Sequence, residues 1–248
     1  MANPFDLTDR VALVTGANTG LGQAIAVGLA QAGADIVAVG RSAPNETRAK
    51  VAAAGRKLTA IAADLGSTEP IDRIMADAGP IDILVNNAGI IRRADSAEFS
   101  EADWDAVMDT NLKVAFFLSQ AVAKGWIAQG RGGKIIQVAS MLSFQGGLRV
   151  PSYTASKSGL AGLTKALANE WAHLGINVNA IAPGYFVTNN TEALRADETR
   201  SRQILERIPA GRWGTPDDLA GVAVFLASRA SDYMHGAVVA VDGGWLAR

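Results

Sequence analysis

Short apolar runs alternate with longer stretches of helical spacing along the whole chain. Runs of four or five residues at 11–15, 35–39, 58–62, 83–86, 134–138, 177–181 and 237–241 are largely apolar. Such runs are typical of strands buried on both faces of a parallel sheet. Strands that alternate with helices predict an α/β fold, here a doubly wound, mostly parallel sheet of about seven strands with helices on both faces.

The spacing of apolar residues predicts helices at 21–32, 100–124 and 151–173. A further helix is expected to begin at Thr215, because a proline and two acids follow it directly. The polar stretch 185–209 has no clear period, and we expect an irregular segment there that covers the site. No linker divides the chain, which predicts a single domain over residues 1–248.

A glycine-rich turn follows the first predicted strand. Gly16, Gly20 and Gly22 lead into the first helix, and the second strand completes a βαβ unit. In this context Gly16 permits a tight turn, Gly20 lets the backbone approach a pyrophosphate, and Gly22 lets the helix pack against the strand. The N–H groups at the helix start favour phosphates. The pattern predicts a dinucleotide site in a Rossmann fold; a loop that is merely rich in small residues is the alternative.

Tyr153 and Lys157 are four residues apart on the helix predicted at 151–173, about 6 Å apart along its axis on one face. A nearby ammonium favours the phenolate, so we expect Lys157 to lower the pKa of Tyr153. Such a tyrosine could exchange a proton with an alcohol or a carbonyl. Ser140 follows strand 134–138 and could donate to the same substrate oxygen. The alternative is an ordinary exposed Tyr and Lys, because the spacing alone is common.

Several candidate residues come directly after predicted strands. Besides the glycine turn and Ser140, they include Asp64, the Asn-Asn-Ala-Gly stretch at 86–89, and Pro183-Gly184. In an open parallel sheet, ligands bind beyond the carboxyl ends of the strands. We therefore expect all of these residues to border one crevice.

Composition removes several classes of function. The chain has 248 residues, 49% of them hydrophobic, with a net charge of −1, no cysteine and only two histidines, His173 and His235. Thiolate chemistry is excluded, and no metal site is expected. The balanced charge gives no indication of nucleic-acid binding. Neither a signal peptide nor a membrane-spanning run is visible, so no membrane association and a cytoplasmic location are expected.

Taken together, the motifs resemble the short-chain dehydrogenases/reductases over the whole chain. They are the TGxxxGxG pattern at 15–22, the stretch 86–89, Ser140 with Tyr153-x-x-x-Lys157, and Pro183-Gly184 with Thr188. The resemblance implies a catalytic tetrad of Asn111, Ser140, Tyr153 and Lys157. It makes Tyr153 the acid/base and Ser140 the residue that orients the substrate. It also implies that Lys157 binds the nicotinamide ribose and that Asn111 holds a water that relays protons.

The same resemblance implies a nicotinamide cofactor. The residues expected to contact it are Gly16, Asn18, Thr19, Gly20, Leu21, Gly22, Arg41, Asp64, Leu65, Asn87, Ala88, Gly89, Tyr153, Lys157, Pro183, Gly184, Val187 and Thr188. NAD-specific sites usually have an acid after the second strand, where this chain has Gly40-Arg41-Ser42. Arg41 could pair with the 2′-phosphate of NADP. The resemblance favours NAD, and NADP remains the alternative.

Segments outside these motifs resemble a narrower group that interconverts a secondary alcohol and a ketone on deoxy-keto sugar acids. Residues expected to bind such a substrate are Ser140, Gln145, Arg93, Arg149 and Tyr153. A 3-ketoacyl reductase, another polyol or sugar dehydrogenase, and a non-catalytic dinucleotide sensor are the alternatives. The resemblance also implies a homotetramer, with contacts on the small-residue face of helix 151–173 and on the apolar C-terminal segment.

Overall fold

A single parallel sheet of seven strands forms the centre of the computed structural model, which describes residues 3–248. The strands are β1 Val11–Thr15, β2 Asp35–Gly40, β3 Leu58–Ala62, β4 Ile83–Asn86, β5 Gly133–Val138, β6 Ile176–Pro183 and β7 Val238–Val241. Their order is β3-β2-β1-β4-β5-β6-β7, and every neighbouring pair is parallel. The predicted seven-stranded Rossmann sheet is thereby confirmed.

Helices cover both faces of this sheet. They are α1 Gly20–Gln31, α2 Asn45–Ala53, α3 Ile71–Ala78, α4 Glu101–Met108, α5 Val114–Ala128, α6 Pro151–Trp171, α7 Glu192–Ala196, α8 Glu198–Arg207 and α9 Ala220–Ala227. One buried cluster joins α1 and α9 to the sheet. A second cluster joins α3, α5 and α6 to the opposite face. The sheet is therefore buried on both sides, as its apolar strands require.

Strand order reverses at β1, which pairs with β2 on one side and with β4 on the other. The chain leaves β1 towards α1 on one face and leaves β4 towards the other face. A crevice opens between such diverging loops at the carboxyl ends of the strands. The topology thus fixes where a ligand can enter before any side chain is considered.

Three parts of the chain differ from the expectation. Segment 185–209 is mostly helical, because it contains α7 and α8. Asp197 caps α8 by accepting a hydrogen bond from the Arg200 backbone N–H. Helix α2 was not predicted; it buries only Thr47 and Val51, so its sequence carries little amphipathic signal. Between α4 and α5, the residues Asp109–Lys113 form a π-helical turn within the predicted helix.

Candidate active site

A cavity of about 630 Å³ lies at the carboxyl ends of the strands. It is lined by most of the residues expected at the site, namely Gly16, Asn18, Thr19, Gly20, Leu21, Gly22, Arg41, Asp64, Leu65, Asn87, Ala88, Gly89, Ser140, Tyr153, Lys157, Pro183, Gly184 and Thr188. These residues come from the six segments that follow β1 to β6 and, for Tyr153 and Lys157, from helix α6. The structure therefore brings the glycine turn and the Ser-Tyr-Lys group to one place.

The glycine turn leaves room for a phosphate at the start of α1. Gly16 and Gly20 have φ angles of 65° and 57°, values that favour glycine. A Cβ atom on Gly22 would overlap the Gly16 carbonyl, so only glycine lets α1 begin this close to the turn. A Cβ on Gly20 would project towards the Thr188 side chain, 3.7 Å away, in the cavity. Thr19 makes no side-chain cap, which leaves the first N–H groups of α1 available.

Arrangement and charge both fit a dinucleotide here. The first turn of α1 has no acidic side chain that would oppose a phosphate. Arg41 and Ser42 border the same cavity after β2, and Arg41 is exposed. Asn18 donates to the Ser42 hydroxyl over 2.8 Å and so ties the end of β2 to the glycine turn.

Thr15 supports the site, although the sequence analysis gave it no role beyond being the first residue of the TGxxxGxG pattern. Its Oγ1 atom accepts hydrogen bonds from the Asn87 and Ala88 backbone N–H groups, each at 2.9 Å. The Asn87 side chain in turn donates to the Thr15 carbonyl over 2.9 Å. These bonds fix the loop after β4 against the glycine turn. A threonine at the end of an otherwise apolar strand was the signal that could have identified it.

Tyr153 and Lys157 stand on the first two turns of α6, which begins with Pro151. Lys157 is 4% exposed, and its Nζ donates to the Val138 carbonyl over 2.6 Å. The same Nζ lies 5.6 Å from the centroid of the Tyr153 ring. Ser140 caps the short turn Met141–Ser143, and its Oγ accepts from the Leu142 N–H over 3.1 Å. Lys157 is thus buried, with its ammonium near the Tyr153 ring and hydrogen-bonded to the last residue of β5.

The pKa of the Tyr153 phenol differs from the expected lowered value. Burial raises the pKa of the Tyr153 phenol above its ordinary value, and hydrogen bonding to Ser140 and the charge of Arg93 only partly offset this. The expected lowering by Lys157 is therefore wrong for this structure. Its ammonium is bonded to a backbone carbonyl, and burial lowers the pKa of Lys157 itself to about 8. A cation that is costly to hold in its charged form is a weak stabiliser of a neighbouring phenolate.

Asn111 lies next to the cavity and is hydrogen-bonded to Ile90 and Ser156. It is 1% exposed within the π-helical turn. Its Oδ1 accepts from the Ile90 N–H over 2.8 Å, and its Nδ2 donates to the Ile90 carbonyl over 2.9 Å. The same Nδ2 donates to Ser156 on α6 over 3.3 Å. Asn111 therefore fastens the loop after β4 to the helix that carries Tyr153.

Four other expected residues do not line the cavity. Gln145 accepts hydrogen bonds from the Trp245 indole over 3.2 Å and from Arg207 over 3.4 Å. Arg149 forms an exposed ion pair with Asp95 over 2.9 Å. Val187 has an exposed side chain. Arg93 donates to the carbonyl of Asn190, a residue that does line the cavity, over 3.1 Å.

The structure corrects the expectations for three of these residues. Gln145 contacts the C-terminal segment and Arg149 contacts an acid, so both side chains have partners outside the cavity. Val187 does not face the cofactor cavity. Other residues that line the cavity include Arg92, Thr110, Phe186, Asn189, Asn190 and Thr191.

Two further properties concern membranes and metals. Within residues 3–248, no helix is long and apolar enough to cross a membrane. Across the same described part of the chain, no group of three or more histidine or acidic side chains is placed to hold a metal ion.

Comparison with known proteins assigns the chain to a family. A family model described as short chain dehydrogenase matches residues 10–199. The 2-dehydro-3-deoxy-D-gluconate 5-dehydrogenase of Escherichia coli K12 is 64% identical over 248 residues, which cover 98% of each chain.

Solved structures agree with this assignment. One from Agrobacterium tumefaciens, provisionally assigned as a 2-deoxy-D-gluconate 3-dehydrogenase with bound NADP, has a TM-score of 0.95 and 66% identity, and covers 99% of this chain and 100% of its own. A gluconate 5-dehydrogenase from Burkholderia cenocepacia, in complex with NADP and tartrate, has a TM-score of 0.91 and 41% identity, and covers 99% and 98%. The chain belongs to the short chain dehydrogenase family and is an NAD(P)-dependent dehydrogenase.

Proposed function

We propose that this enzyme interconverts a secondary alcohol and a ketone on a deoxy-keto sugar acid, as a 2-dehydro-3-deoxy-D-gluconate 5-dehydrogenase does. The proposed chemistry rests on one observation: Ser140, Tyr153 and Lys157 line the same cavity as the glycine turn. The substrate class rests on the names of relatives that match nearly the whole chain. Residues 1–248 act as one domain in this proposal.

Tyr153 is the proposed acid/base and Ser140 its partner. In the reducing direction, a substrate carbonyl oxygen accepts hydrogen bonds from both hydroxyls, and the phenol of Tyr153 passes its proton to that oxygen. A raised pKa keeps Tyr153 protonated at neutral pH, which suits a proton donor. When bound, the nicotinamide group supplies or takes up the hydrogen and two electrons of the reacting carbon.

Lys157 and Asn111 position this pair. Lys157 links α6 to the end of β5 through Val138, and we assign its ammonium to the ribose hydroxyls of the cofactor. Asn111 holds Ile90 and Ser156 together. A water held near Asn111 for proton relay remains part of the proposal.

The preference between the two cofactors remains a prediction, with NAD favoured and NADP accepted. Arg41 has no ion-pair partner within residues 3–248, and it borders the cavity where a 2′-phosphate would lie. Arg41→Asp removes a phosphate partner and adds an acceptor for ribose hydroxyls, so the ratio of kcat/KM with NAD to kcat/KM with NADP should rise. An unchanged ratio would show that Arg41 does not face the ribose.

Tyr153→Phe tests the chemistry. It removes the proposed proton donor and keeps the ring, so kcat should fall by about 100-fold or more. Dinucleotide affinity and the unfolding midpoint should be unchanged. The matched control is Tyr233→Phe, since Tyr233 is fully exposed. Assays of the parent with the sugar acid, a 3-ketoacyl ester and neutral polyols separate the proposed function from the other dehydrogenases and from a sensor without turnover.

A further inference from the structure

Three arginines whose charges act on Tyr185, which lies between the cavity-lining residues Gly184 and Phe186, have no acidic partner within residues 3–248. Among the described residues, Arg93, Arg200 and Arg207 contact only neutral oxygens, whereas many other arginines form ion pairs. Arg93 donates to the Asn190 carbonyl over 3.1 Å, while Arg200 and Arg207 make long bonds of 3.4 Å to Gln203 and Gln145. Each guanidinium keeps unused donors.

The charges of the three arginines all act on the Tyr185 phenol. Burial raises the pKa of the Tyr185 phenol, and the charges of Arg200, Arg207 and Arg93, in that order, lower it. Arg93 also acts on the pKa of Tyr153. The positive charge of Arg93 therefore affects both Tyr185, which follows β6, and the proposed acid/base Tyr153.

The geometry of α8 explains why two of these arginines share one side. Arg200 and Arg207 are seven residues apart, which places them on the same face and about 10 Å apart along the helix axis. Ile204 lies between them on that face and is 1% exposed, so the middle of the face packs against the protein, while Arg200 is half-buried and Arg207 is exposed. Arg202 lies elsewhere on the helix, is 71% exposed and is only 3.9 Å from Glu206.

A rigid aromatic surface holds the cluster in place. The Arg207 guanidinium lies 4.0 Å from the centroid of the Trp245 ring. Tyr185 packs edge-on against Trp245 at 4.8 Å and against Trp213 at 5.4 Å. An arginine stacked on one face still presents its N–H edge to a carboxylate, in the bidentate geometry that this side chain favours.

We propose that Arg93, Arg200 and Arg207, together with Tyr185, bind the carboxylate of the substrate while its reacting carbon lies against Tyr153 and Ser140. The inference rests on the proposed function and specifies its substrate contacts. Arg92 and Arg149 are unsuitable, because each is already paired with an acid, Asp103 and Asp95 respectively. A carboxylate that leaves water requires such cationic donors.

Arg200→Gln and Arg207→Gln test the cluster, and Arg202→Gln on the same helix is the matched control. The substrates are the sugar acid and its uncharged counterpart with a primary alcohol in place of the carboxylate. Each cluster variant should lose about 30-fold or more in kcat/KM on the acid, mainly through KM, because the substrate carboxylate loses a charged hydrogen-bond donor. Activity on the neutral compound, dinucleotide affinity and the Arg202→Gln variant should be unchanged.

The inference is overturned if neither variant loses efficiency selectively on the acid, or if losses are equal on both substrates, which would indicate a structural role. Arg207→Lys keeps the charge and the alkyl stem, and should recover part of the lost efficiency if Arg207→Gln folds poorly. Inhibition by tartrate gives a second readout, with a weaker inhibition constant expected in Arg200→Gln and Arg207→Gln only. A parent enzyme that turns over no sugar acid would instead refute the proposed function.

Discussion

At several positions of this site, the backbone conformation determines which residue fits as much as the chemistry of the side chain does. Gly16 and Gly20 have left-handed φ angles, and Gly22 lies against the Gly16 carbonyl. The sequence predicts these glycines well, because a strand before them and a helix after them leave few other arrangements. It could not show which arginine is free, since pairing with Asp95 or Asp103 depends on loops that meet only in the folded chain.

Gly20→Val should abolish dinucleotide binding. The branched side chain would project into the cavity near Thr188, and it would also strain a backbone with φ of 57°. Gly55→Val controls for strain, because Gly55 has φ of 73° and no heavy atom near its Cβ position. Calorimetric titration should show lost affinity for the first variant alone. Equal affinity in the Gly20→Val protein would place the phosphates elsewhere.

The buried ammonium of Lys157 should make stability depend on pH. Burial lowers its pKa from 10.5 to about 8, so between these values the unfolded chain binds a proton that the folded protein does not. The free energy of unfolding contributed by this group therefore rises as the pH increases from 8 towards 10.5, whereas below pH 8 the full desolvation cost opposes folding.

Lys157→Met isolates this effect. From about pH 8 to pH 10, the parent should gain stability relative to the variant. Urea denaturation midpoints of both proteins at pH 7, 8, 9 and 10 provide the measurement, with Lys50→Met as a control at a half-exposed site. A difference between parent and Lys157→Met that stays constant across this range would contradict the prediction.

At the scale of elements, strands were easier to predict than the helices that cover the site. All seven strands lie within two residues of their predicted ends, because strands buried on both faces leave an uninterrupted apolar signal. Helix α8 gave no such signal, since only Ile204 is buried along its length. Its packing partners, Met141 and Trp245, are distant in sequence, so its stability depends on tertiary contacts.

Trp245→Ala should loosen α8 and impair turnover. Trp245 is 4% exposed, packs against Tyr185 and Arg207, and donates its indole N–H to Gln145. Truncating a buried tryptophan costs about 3–5 kcal/mol where the site cannot collapse. Hydrogen exchange should increase within 198–207, and kcat/KM on the sugar acid should fall.

Trp104→Ala is the matched control, because Trp104 on α4 is 39% exposed. It should leave exchange in α8 unchanged. If protection across 198–207 is the same in Trp245→Ala as in the parent, the C-terminal segment does not hold this helix.

At the scale of the whole molecule, two apolar surfaces are uncovered within residues 3–248. A groove of about 500 Å³ between α5 and α6 is lined by Met108, Leu112, Phe116, Phe117, Gly159 and Leu163, and also by the ion pair of Asp109 and Lys113. The edge strand β7, Val238–Val241, is only partly covered. These surfaces lie on α6 and in the C-terminal segment, where the sequence analysis expected subunit contacts, although α5 supplies most of the aromatic area. A closed tetramer with two kinds of interface needs two such surfaces.

Phe117→Glu tests whether the groove is one of these interfaces. Phe117 is 39% exposed, and a carboxylate there would have to be buried if a second copy covered the groove, whose lining cation Lys113 is already paired with Asp109. We expect light scattering at micromolar concentration to give a tetramer for the parent and a dimer, held by the remaining surface, for the variant. Phe5→Glu, at an exposed position before β1, should remain tetrameric. A monomeric parent would refute the assembly itself, while a tetrameric Phe117→Glu protein would exclude the groove and leave β7 as the surface to examine.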